Sequence, residues 1–294
     1  MPTRIASNCP KCPKLPVSKQ KLAPTGQRIP KNSCEPTTSQ SITNNYFPIT
    51  NFMRPTNSTI SIVIPTYNER EHIADLVKSL YSTIDAPLEV IVVDDNSPDG
   101  TADIVAGLDY PDLMLIRRKS RGLAAAFHRG ILEASGDIIG WMDADMTMPA
   151  TTMLQLIEQL DEYHIALGSR YVEGGSDNRH PLRVYASHAI NWLARTVLGG
   201  GIGDYDSGFI AIRREVFDYI TLIPYGYGEY FIEFLYDAHR SGLKIKEVGY
   251  AFRDRSVGVS KSAPSVLGFF LQGLHYINRI FSLRLRWLFR GGDK

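Results

Sequence analysis

The chain has 294 residues and a hydrophobic content of 44%, which is typical of a globular protein with one large domain or two ordinary ones. Its overall charge of +1 hides an asymmetry, since residues 1–58 carry eight Lys and Arg against one acid, Glu35, and the remainder carries 24 basic and 30 acidic residues. The acidic body disfavours nucleic acid as a partner, and no stretch of 18 uncharged apolar residues is present that would span a membrane.

Residues 1–58 lack the pattern of a folded segment. They hold nine of the 17 prolines and show no apolar periodicity, so we predict a disordered, basic, proline-rich tail. All three cysteines lie there, and "CPKC" has the spacing of half a zinc site without a second pair of ligands. The tail is acid-poor, as transit peptides are, but it lacks their amphipathic, arginine-rich pattern. The cysteine-free body fits a reducing compartment.

The body, which we assign to residues 59–262, alternates apolar runs with amphipathic ones. The apolar runs have the length and composition of strands: residues 60–65, 88–93, 113–116, 138–142 and 165–168. The amphipathic runs predict helices: residues 69–81, 101–106, 122–134 and 151–162. Continuous apolar strands separated by helices predict an α/β fold with a Rossmann-like, mostly parallel sheet flanked by helices on both faces.

Charged residues collect at the ends of these strands. Asp94 and Asp95 follow the second strand, Asp143 and Asp145 follow the fourth, and Arg170 follows the fifth. In open α/β sheets, ligands bind outside the carboxyl ends of the strands. The sequence therefore predicts a binding site at this edge of the sheet.

Two features of the sequence limit the ligands that this site could bind: the nucleotide-binding loops that are missing, and the acid pair Asp143 and Asp145. After the first strand, "PTYNE" contains no glycine-rich turn, and no Walker-type phosphate loop is present, which disfavours NAD and ATP as ligands. Asp143 and Asp145 repel each other unless a proton or a cation lies between them. Such a pair suits Mg²⁺ or Mn²⁺, with the remaining positions taken by water and substrate phosphates. The alternative is that both are solvated loop acids that cap the following helix.

Seven motifs occur in an order that resembles a known family: "SIVIPTYNE", "VIVVDDNSPDGT", "MDAD", "ALGSRY", "RVYASHAINWLARTVLG", "GDYDSGF" and "FRDRSVGVSK". Over roughly residues 60–270 the chain resembles family 2 glycosyltransferases of the GT-A fold, and among them the polyprenol-phosphate (dolichol-phosphate) mannosyltransferases. The resemblance implies an inverting transfer of a hexose, usually mannose from GDP-mannose, to polyprenyl or dolichyl phosphate. It also implies a Mg²⁺ or Mn²⁺ cofactor and peripheral attachment at the cytoplasmic face of a membrane.

The resemblance also implies roles for individual residues. The nucleotide-sugar pocket would be lined by Pro65, Tyr67, Glu69, Asp94, Asp95 and Asp143, although one of the two adjacent acids must point away from it. The metal would be held by Asp143 and Asp145. The catalytic set would be Asp143, Asp145, Arg170, Arg255 and Lys261. The acceptor phosphate would be bound by Arg183, Ser187, Asp204 and Ser207.

Three positions depart from the pattern of the resembled family. Thr147 stands where Gln is common, Asp206 where Thr is usual and Ile210 where Arg is usual. These differences concern the sugar and the nucleobase more than the reaction type, so a UDP-hexose donor is an alternative, as is a family 2 enzyme that extends a glycan. A non-catalytic nucleotide-sugar-binding protein is disfavoured because both acids of "DAD" are intact.

Residues 263–294 predict a C-terminal amphipathic helix. Its polar residues recur at steps of three and four and form one stripe on a wide apolar cylinder: Gln272, His275, Arg279, Ser282 and Arg286. The helix would either pack as core or, as a lipid acceptor favours, lie in a membrane interface. Because some relatives of this type carry C-terminal spanning helices, a membrane-anchoring partner subunit is a further expectation.

Overall fold

The computed structural model describes residues 58–253 and 266–290. The predicted tail therefore lies outside the described residues, as do Arg255 and Lys261. The described strands are β1 (Ile60–Thr66), β2 (Leu88–Asp94), β3 (Leu113–Arg117), β4 (Ile138–Trp141), β5 (Ile165–Ser169), β6 (Ser176–Asn178), β7 (Ile210–Arg213), β8 (Ile245–Gly249) and β9 (Ala251–Arg253). The described α-helices are α1 (Ile73–Thr83), α2 (Thr101–Ala106), α3 (Leu123–Glu133), α4 (Ala150–Gln159), α5 (Pro181–Leu198), α6 (Glu229–Arg240) and α7 (Val266–Arg290).

Seven of the described strands form one sheet in the order β3-β2-β1-β4-β7-β5-β8, and β6 pairs with β9 in a small separate ribbon. Strands β1 to β4 pair in parallel, as do β5 and β8. Strand β7 runs antiparallel to both of its neighbours. The mostly parallel α/β sheet is thus confirmed, whereas the reversal at β7 was not predicted, because a four-residue apolar run carries no signal of its direction.

Helices cover both faces of the sheet because its strands are apolar on both sides. In β1, the alternate residues Ile60, Ile62 and Ile64 belong to the core that includes the buried faces of α1 and α4. Val63 belongs to the opposite core, together with Phe127 of α3 and buried residues of α5, α6 and α7. This two-sided burial explains why the strands read as continuous hydrophobic runs.

Helix α1 begins later than its amphipathic pattern indicates. The pattern predicts a start at residue 69, but Asn68 has a left-handed backbone with φ of 55°. The carbonyl of Glu69 then accepts hydrogen bonds from the amides of His72 and Ile73, at 3.1 and 3.0 Å. The first turn of the predicted helix is therefore a loop that turns the chain at the carboxyl end of β1.

The inner face of α7 is part of the core. Ile280 and Leu283 are fully buried in the cluster that also contains residues of α5 and α6. Arg279 and Arg286, from the predicted polar stripe, each form an ion pair with Glu233 of α6, at 3.0 and 2.6 Å. One side of the helix is therefore anchored to the domain by apolar packing and by partly buried charge pairs.

The outer face of α7 carries apolar side chains that are exposed. They are Leu271, Leu274, Phe281, Leu285, Leu288 and Phe289. Ile277 is half-buried, and the side chain of Phe270 lies outside the described part of the chain. Within the described residues, α7 and the other helices are all too short or too polar to cross a membrane.

His164, the residue before β5, is buried and uncharged. Only 3% of its surface is exposed, and its Nδ1 accepts a hydrogen bond from the amide of Lys244 at 3.0 Å. Burial, together with nearby Arg213 and Lys244, lowers the pKa of His164 to about 4. Protonation would remove the acceptor lone pair and place a charge in the core.

We expect His164 to make the fold sensitive to acid. An unfolded histidine binds a proton near pH 6.5, so its contribution to the free energy of unfolding is intact above that pH and is lost as the pH falls towards 4, by about 3 kcal/mol at full titration. We compare urea unfolding at about pH 7 and about pH 4. The free energy of unfolding should fall less between the two pH values for His164→Gln than for the wild type. The exposed-site variant His275→Gln serves as the control and should follow the wild type. Equal losses in all three proteins would contradict the prediction.

Candidate active site

The acids at positions 94–95 and 143–145 meet at one edge of the sheet. The register between β1 and β2 places Thr66 beside Asp94, and β4 pairs with the other side of β1 as far as Trp141. Asp143 and Asp145 follow two and four residues after Trp141. Adjacent parallel strands therefore deliver both acid pairs to the same carboxyl edge, where ligands of α/β sheets bind.

Asp145 is oriented by its own turn. Its Oδ1 accepts hydrogen bonds from the amide and the hydroxyl of Thr147, at 3.1 and 2.5 Å, and the intervening Met146 has a left-handed φ of 63°. Thr147 is too short to reach past Asp145 as a Gln would, so its role here is to hold that carboxylate in place.

The donor atoms at this edge fit a hard divalent cation. Within the described residues no group of three or more His, Cys, Asp or Glu is assembled for a metal. Asp143 and Asp145 would therefore supply two carboxylates, and a diphosphate and water would supply the other ligands. Mg²⁺ and Mn²⁺ accept this kind of coordination, with oxygen ligands and few from the protein.

The adjacent acids Asp94 and Asp95 point in different directions. Asp94 accepts hydrogen bonds from the hydroxyl and the amide of Ser97, at 2.5 and 2.9 Å, and closes the turn after β2. Asp95 accepts from the guanidinium of Arg118 and from the amide of Gly122, each at 2.8 Å. Burial raises the pKa of Asp95, while the Gly122 amide and Arg118 oppose the rise. Asp95 is thus the acid that faces the loop between β3 and α3.

That loop also contributes Arg121, which the sequence analysis missed together with Arg118. The Arg121 guanidinium carbon lies 3.7 Å from the centroid of the Tyr67 ring, and the guanidinium donates to the Tyr67 hydroxyl. The signal for both was the basic run "RRKSR", which follows the third predicted strand at the same carboxyl edge. The predicted nucleoside pocket thereby gains two cations and a stacked aromatic ring.

Pro65 and Glu69 stand two residues before and after Tyr67 in the chain. Pro65 is buried within β1. Glu69 is also buried, and its amide donates to the Thr101 hydroxyl at 3.0 Å, which ties the loop after β1 to the start of α2. These contacts fix the backbone on either side of Tyr67.

Arg170 is the centre of a buried ion-pair cluster at the end of β5. Its guanidinium donates to both oxygens of Asp204, at 2.8 and 2.6 Å, and also to Asp206. A second edge of the guanidinium lies 3.8 Å from Asp177. Burial alone would lower the pKa of Arg170, but Asp204 and Asp206 raise it well above its usual value, so the charge is permanent. These contacts assign Arg170 a positioning role; its contact with a substrate phosphate stays a prediction.

Among the described residues, the cluster contains three acids, Asp177, Asp204 and Asp206, and two cations. Besides Arg170, the guanidinium of Arg179 pairs with Asp177 at 2.6 Å. Burial raises the pKa of Asp204. Burial acts in the same direction on Asp206, but Arg170 and hydrogen bonds from Asp204 and an asparagine amide hold its pKa below the usual range.

The predicted acceptor residues lie on α5 and on the loop that follows it. Arg183 is in the first turn of α5, and Ser187 is buried one turn later, where its hydroxyl donates to Asp206 at 3.1 Å. Ser207 is also buried, and its hydroxyl donates to the carbonyl of Gly168 in β5. Ser187 and Asp204 thus join the Arg170 cluster, whereas Ser207 braces β5 against the loop.

Tyr250 is buried beside the end of β5, where its amide donates to the carbonyl of Ser169 at 3.1 Å. Burial raises the pKa of this tyrosine strongly, Arg170 opposes the rise, and Asp204 and Asp143 add to it. The charges of Asp143 and of the Arg170 cluster therefore both act on this tyrosine.

Comparison with known proteins identifies the family. The sequence profile described as Glycosyl transferase family 2 matches residues 61–221. The chain belongs to glycosyl transferase family 2. It is 36% identical over 239 residues to the dolichol-phosphate mannosyltransferase of Pyrococcus furiosus, an alignment that covers 78% of this chain but only 64% of that relative. It is 35% identical over 224 residues to the polyprenol monophosphomannose synthase of Mycolicibacterium smegmatis, with 72% of this chain and 84% of the relative covered.

Solved structures share the fold of this family 2 glycosyltransferase. Glucosyl-3-phosphoglycerate synthase from Mycobacterium tuberculosis, in complex with Mn²⁺, UDP-glucose and phosphoglyceric acid, gives a TM-score of 0.60 at 22% identity over 77% of this chain and 80% of that chain. Its complex with Mn²⁺, UDP and glucosyl-3-phosphoglycerate gives 0.58 at 23% identity over the same shares. At these identities the likeness concerns the fold alone, and it confirms the predicted GT-A fold.

Arg121 provides a test of the nucleotide pocket of this glycosyltransferase. Because the Arg121 guanidinium stacks on Tyr67 and adds a positive charge to the predicted pocket, we expect Arg121→Ala to weaken nucleoside diphosphate binding about five- to tenfold. Arg117→Ala is the matched control, since Arg117 pairs with the exposed Asp103, and it should change the affinity less than about twofold. Titration calorimetry with GDP and UDP measures both variants. Equal binding by Arg121→Ala would show that Arg121 does not contribute to nucleotide binding, and tighter binding would show that its side chain obstructs the pocket.

Proposed function

We propose that this glycosyltransferase moves a hexose, mannose from GDP-mannose, onto the phosphate of a polyprenyl or dolichyl lipid, with inversion at the anomeric carbon. The observation that supports this most is the identity of 35–36% to a dolichol-phosphate mannosyltransferase and a polyprenol monophosphomannose synthase. The proposal is also supported by the carboxylate pair that follows β4, which would serve a metal-bound diphosphate. Helix α5, which carries the cation Arg183 and the buried hydroxyl of Ser187, would serve the second anion.

The reaction needs positioning and charge stabilisation more than a base. A lipid phosphate is already anionic near neutral pH, so it attacks the anomeric carbon without first losing a proton. Asp143 and Asp145 would hold Mg²⁺ or Mn²⁺, which neutralises the charge that develops on the leaving nucleoside diphosphate. Tyr67, Arg121 and Asp95 would hold the nucleoside, and the fixed orientation of both substrates would supply most of the rate.

The acceptor phosphate would bind at the first turns of α5. Pro181 begins this 18-residue helix, whose amino end carries a partial positive charge that favours an anion. Arg183 adds a guanidinium with a planar fork for phosphate oxygens, and Ser187 adds a hydroxyl. Arg255 and Lys261 are proposed to close over both phosphates from the segment outside the described residues.

A UDP-hexose donor is the second candidate. It is favoured by the departures from the resembled family at Thr147, Asp206 and Ile210. Thr147 bonds Asp145, one of the two proposed metal ligands, and Asp206 bonds Ser187 of α5. Both donors would use the same carboxylate pair and the same acceptor site.

Transfer assays distinguish these candidates. The purified protein is incubated with radiolabelled GDP-mannose, UDP-glucose or UDP-galactose and with polyprenyl phosphate in detergent, and the lipid phase is then extracted. We expect label in the lipid from GDP-mannose, and label from a UDP-hexose instead would select the second candidate. Arg183→Ala should raise the KM for the lipid at least about tenfold and leave nucleotide affinity within about twofold. Label only in soluble sugars would overturn the proposal.

Metal dependence tests the role of the carboxylate pair. EDTA should abolish transfer, and Mg²⁺ or Mn²⁺ should restore it. Asp145→Asn should reduce kcat by at least about a hundredfold, because it removes a ligand to the charge that stabilises the leaving group. The matched control Asp75→Asn, which changes an exposed acid on α1, should retain full activity. Undiminished transfer in excess chelator would refute a metal role.

The lipid acceptor also requires a surface, and we propose that α7 provides peripheral attachment at the cytoplasmic face of a membrane. Its outer apolar side chains are exposed, and the helix contains four arginines and no acid. Burying a large apolar side chain contributes roughly 1.5–3 kcal/mol, and basic residues favour anionic headgroups. The neighbouring α5 adds exposed Leu182, Tyr185 and Trp192. A membrane-anchoring subunit that covers the same face is the alternative occupant.

Liposome sedimentation tests this attachment. Leu274→Glu with Phe281→Glu should abolish binding to anionic phospholipid vesicles, because both exposed side chains belong to the outer face. His275→Glu with Ser282→Glu adds two carboxylates to the polar stripe instead and should bind more strongly than the first double variant. Both proteins should retain thermal stability and nucleotide binding. Wild-type protein that ignores vesicles would instead favour an anchoring subunit.

A further inference from the structure

Asn191 lies in the middle of α5 and is completely buried. An amide in that position is costly unless its polar atoms are paired. Here its Nδ2 donates to Asp206 at 2.8 Å and to the carbonyl of Ser187 at 3.1 Å, and its Oδ1 accepts from the amide of Tyr205 at 2.6 Å. The side chain therefore ties the loop after α5, at two successive residues, to the helix.

The position of Asn191 on the helix matters as much as its partners. Residues 183, 187 and 191 follow one another at intervals of four, so they lie along one face of α5. Arg183 and Ser187, the two residues proposed to bind the acceptor phosphate, thus share that face with Asn191. Moreover, the extra bond to the Ser187 carbonyl fixes the backbone from which the serine hydroxyl projects.

Asp206 links Asn191 to the rest of the cluster. One of its oxygens, Oδ1, accepts from both Asn191 and Arg170, and Oδ2 accepts from the Ser187 hydroxyl at 3.1 Å. A serine hydroxyl has a single proton to donate. In the structure that proton is engaged by Asp206, so the Ser187 hydroxyl would have to turn away from Asp206 to donate to a phosphate. How far it must turn depends on where Asp206 is held, and Asp206 is held by Arg170 on one side and Asn191 on the other.

We propose that Asn191 is a positioning residue for the lipid-phosphate acceptor: through Asp206 it sets the Ser187 hydroxyl, and with it the phosphate-binding face of α5. This role deepens the proposed function and rests on it. Asn191 itself does not meet the substrate. Its loss is expected to affect use of the acceptor while leaving the nucleotide half of the site, which is built on β1, β2 and β4, intact.

The test compares Asn191→Leu, which keeps the branching and the number of heavy atoms but removes the three hydrogen bonds, with Leu198→Ala, a buried change at the end of the same helix. Kinetics with the full chain yield separate KM values for polyprenyl phosphate and for the nucleotide sugar. Asn191→Leu should raise the KM for polyprenyl phosphate at least about tenfold, with the nucleotide KM within about twofold. Leu198→Ala should lower the melting temperature without changing either KM.

A second variant keeps the test decisive if Asn191→Leu does not fold. Asp206→Asn preserves size but weakens the acceptor for the Ser187 hydroxyl and should produce the same selective rise in the lipid KM. The role of Asn191 is overturned if the lipid KM is unchanged in the folded variants, or if the KM values for the lipid and for the nucleotide sugar rise together. A wild-type protein that never transfers to polyprenyl phosphate overturns the proposed function, and this role with it.

Discussion

The proposed acceptor half of the site depends on one guanidinium, that of Arg170. Its hydrogen bonds to Asp204 and Asp206 join the end of β5 to the loop after α5, Asp206 in turn bonds Asn191 in the middle of α5, and Asp177 of β6 lies 3.8 Å from the same guanidinium. Buried charges are tolerated only where partners match them closely. Removing this side chain would leave Asp204 and Asp206 without their guanidinium, so the geometry of the region depends on this ion pairing.

The proposed nucleotide half combines contacts between loops, such as Asp95 with Arg118, with short-range turn contacts. Asp94 closes its turn through Ser97, and Asp145 is set by Thr147 two residues later. Asp99 likewise bonds the amide and hydroxyl of Thr101 at the start of α2. Each of these acids is fixed by a neighbour within three residues. This half can therefore keep its shape when the acceptor half changes.

This difference explains what the sequence revealed and what it concealed. Continuous apolar runs predicted the first five strands, and strand ends located Asp95, Asp143 and Asp145, because both signals are local. No local pattern encodes the direction of β7, which is set by its pairing with β4 and β5. The same holds for the hydrogen bond between Asn191 and Asp206, which joins a helix to the loop that follows it. Arg118 and Arg121 lie between these cases, since the basic run was visible but its approach to Asp95 and Tyr67 required the strand order.

The reversed strand β7 has a consequence for how members of such a family can diverge. In a purely parallel sheet, only the segment that leaves a strand reaches the ligand edge. Because Ile210, the first residue of β7, pairs with Trp141, the last residue of β4, the segment that enters β7 reaches that edge too. The glycine-rich stretch at residues 199–203, which precedes Asp204, can thus lengthen or shorten without disturbing any strand that carries the metal-type acids. Under the proposed function, changes in this segment would alter acceptor preference and leave the donor chemistry unchanged.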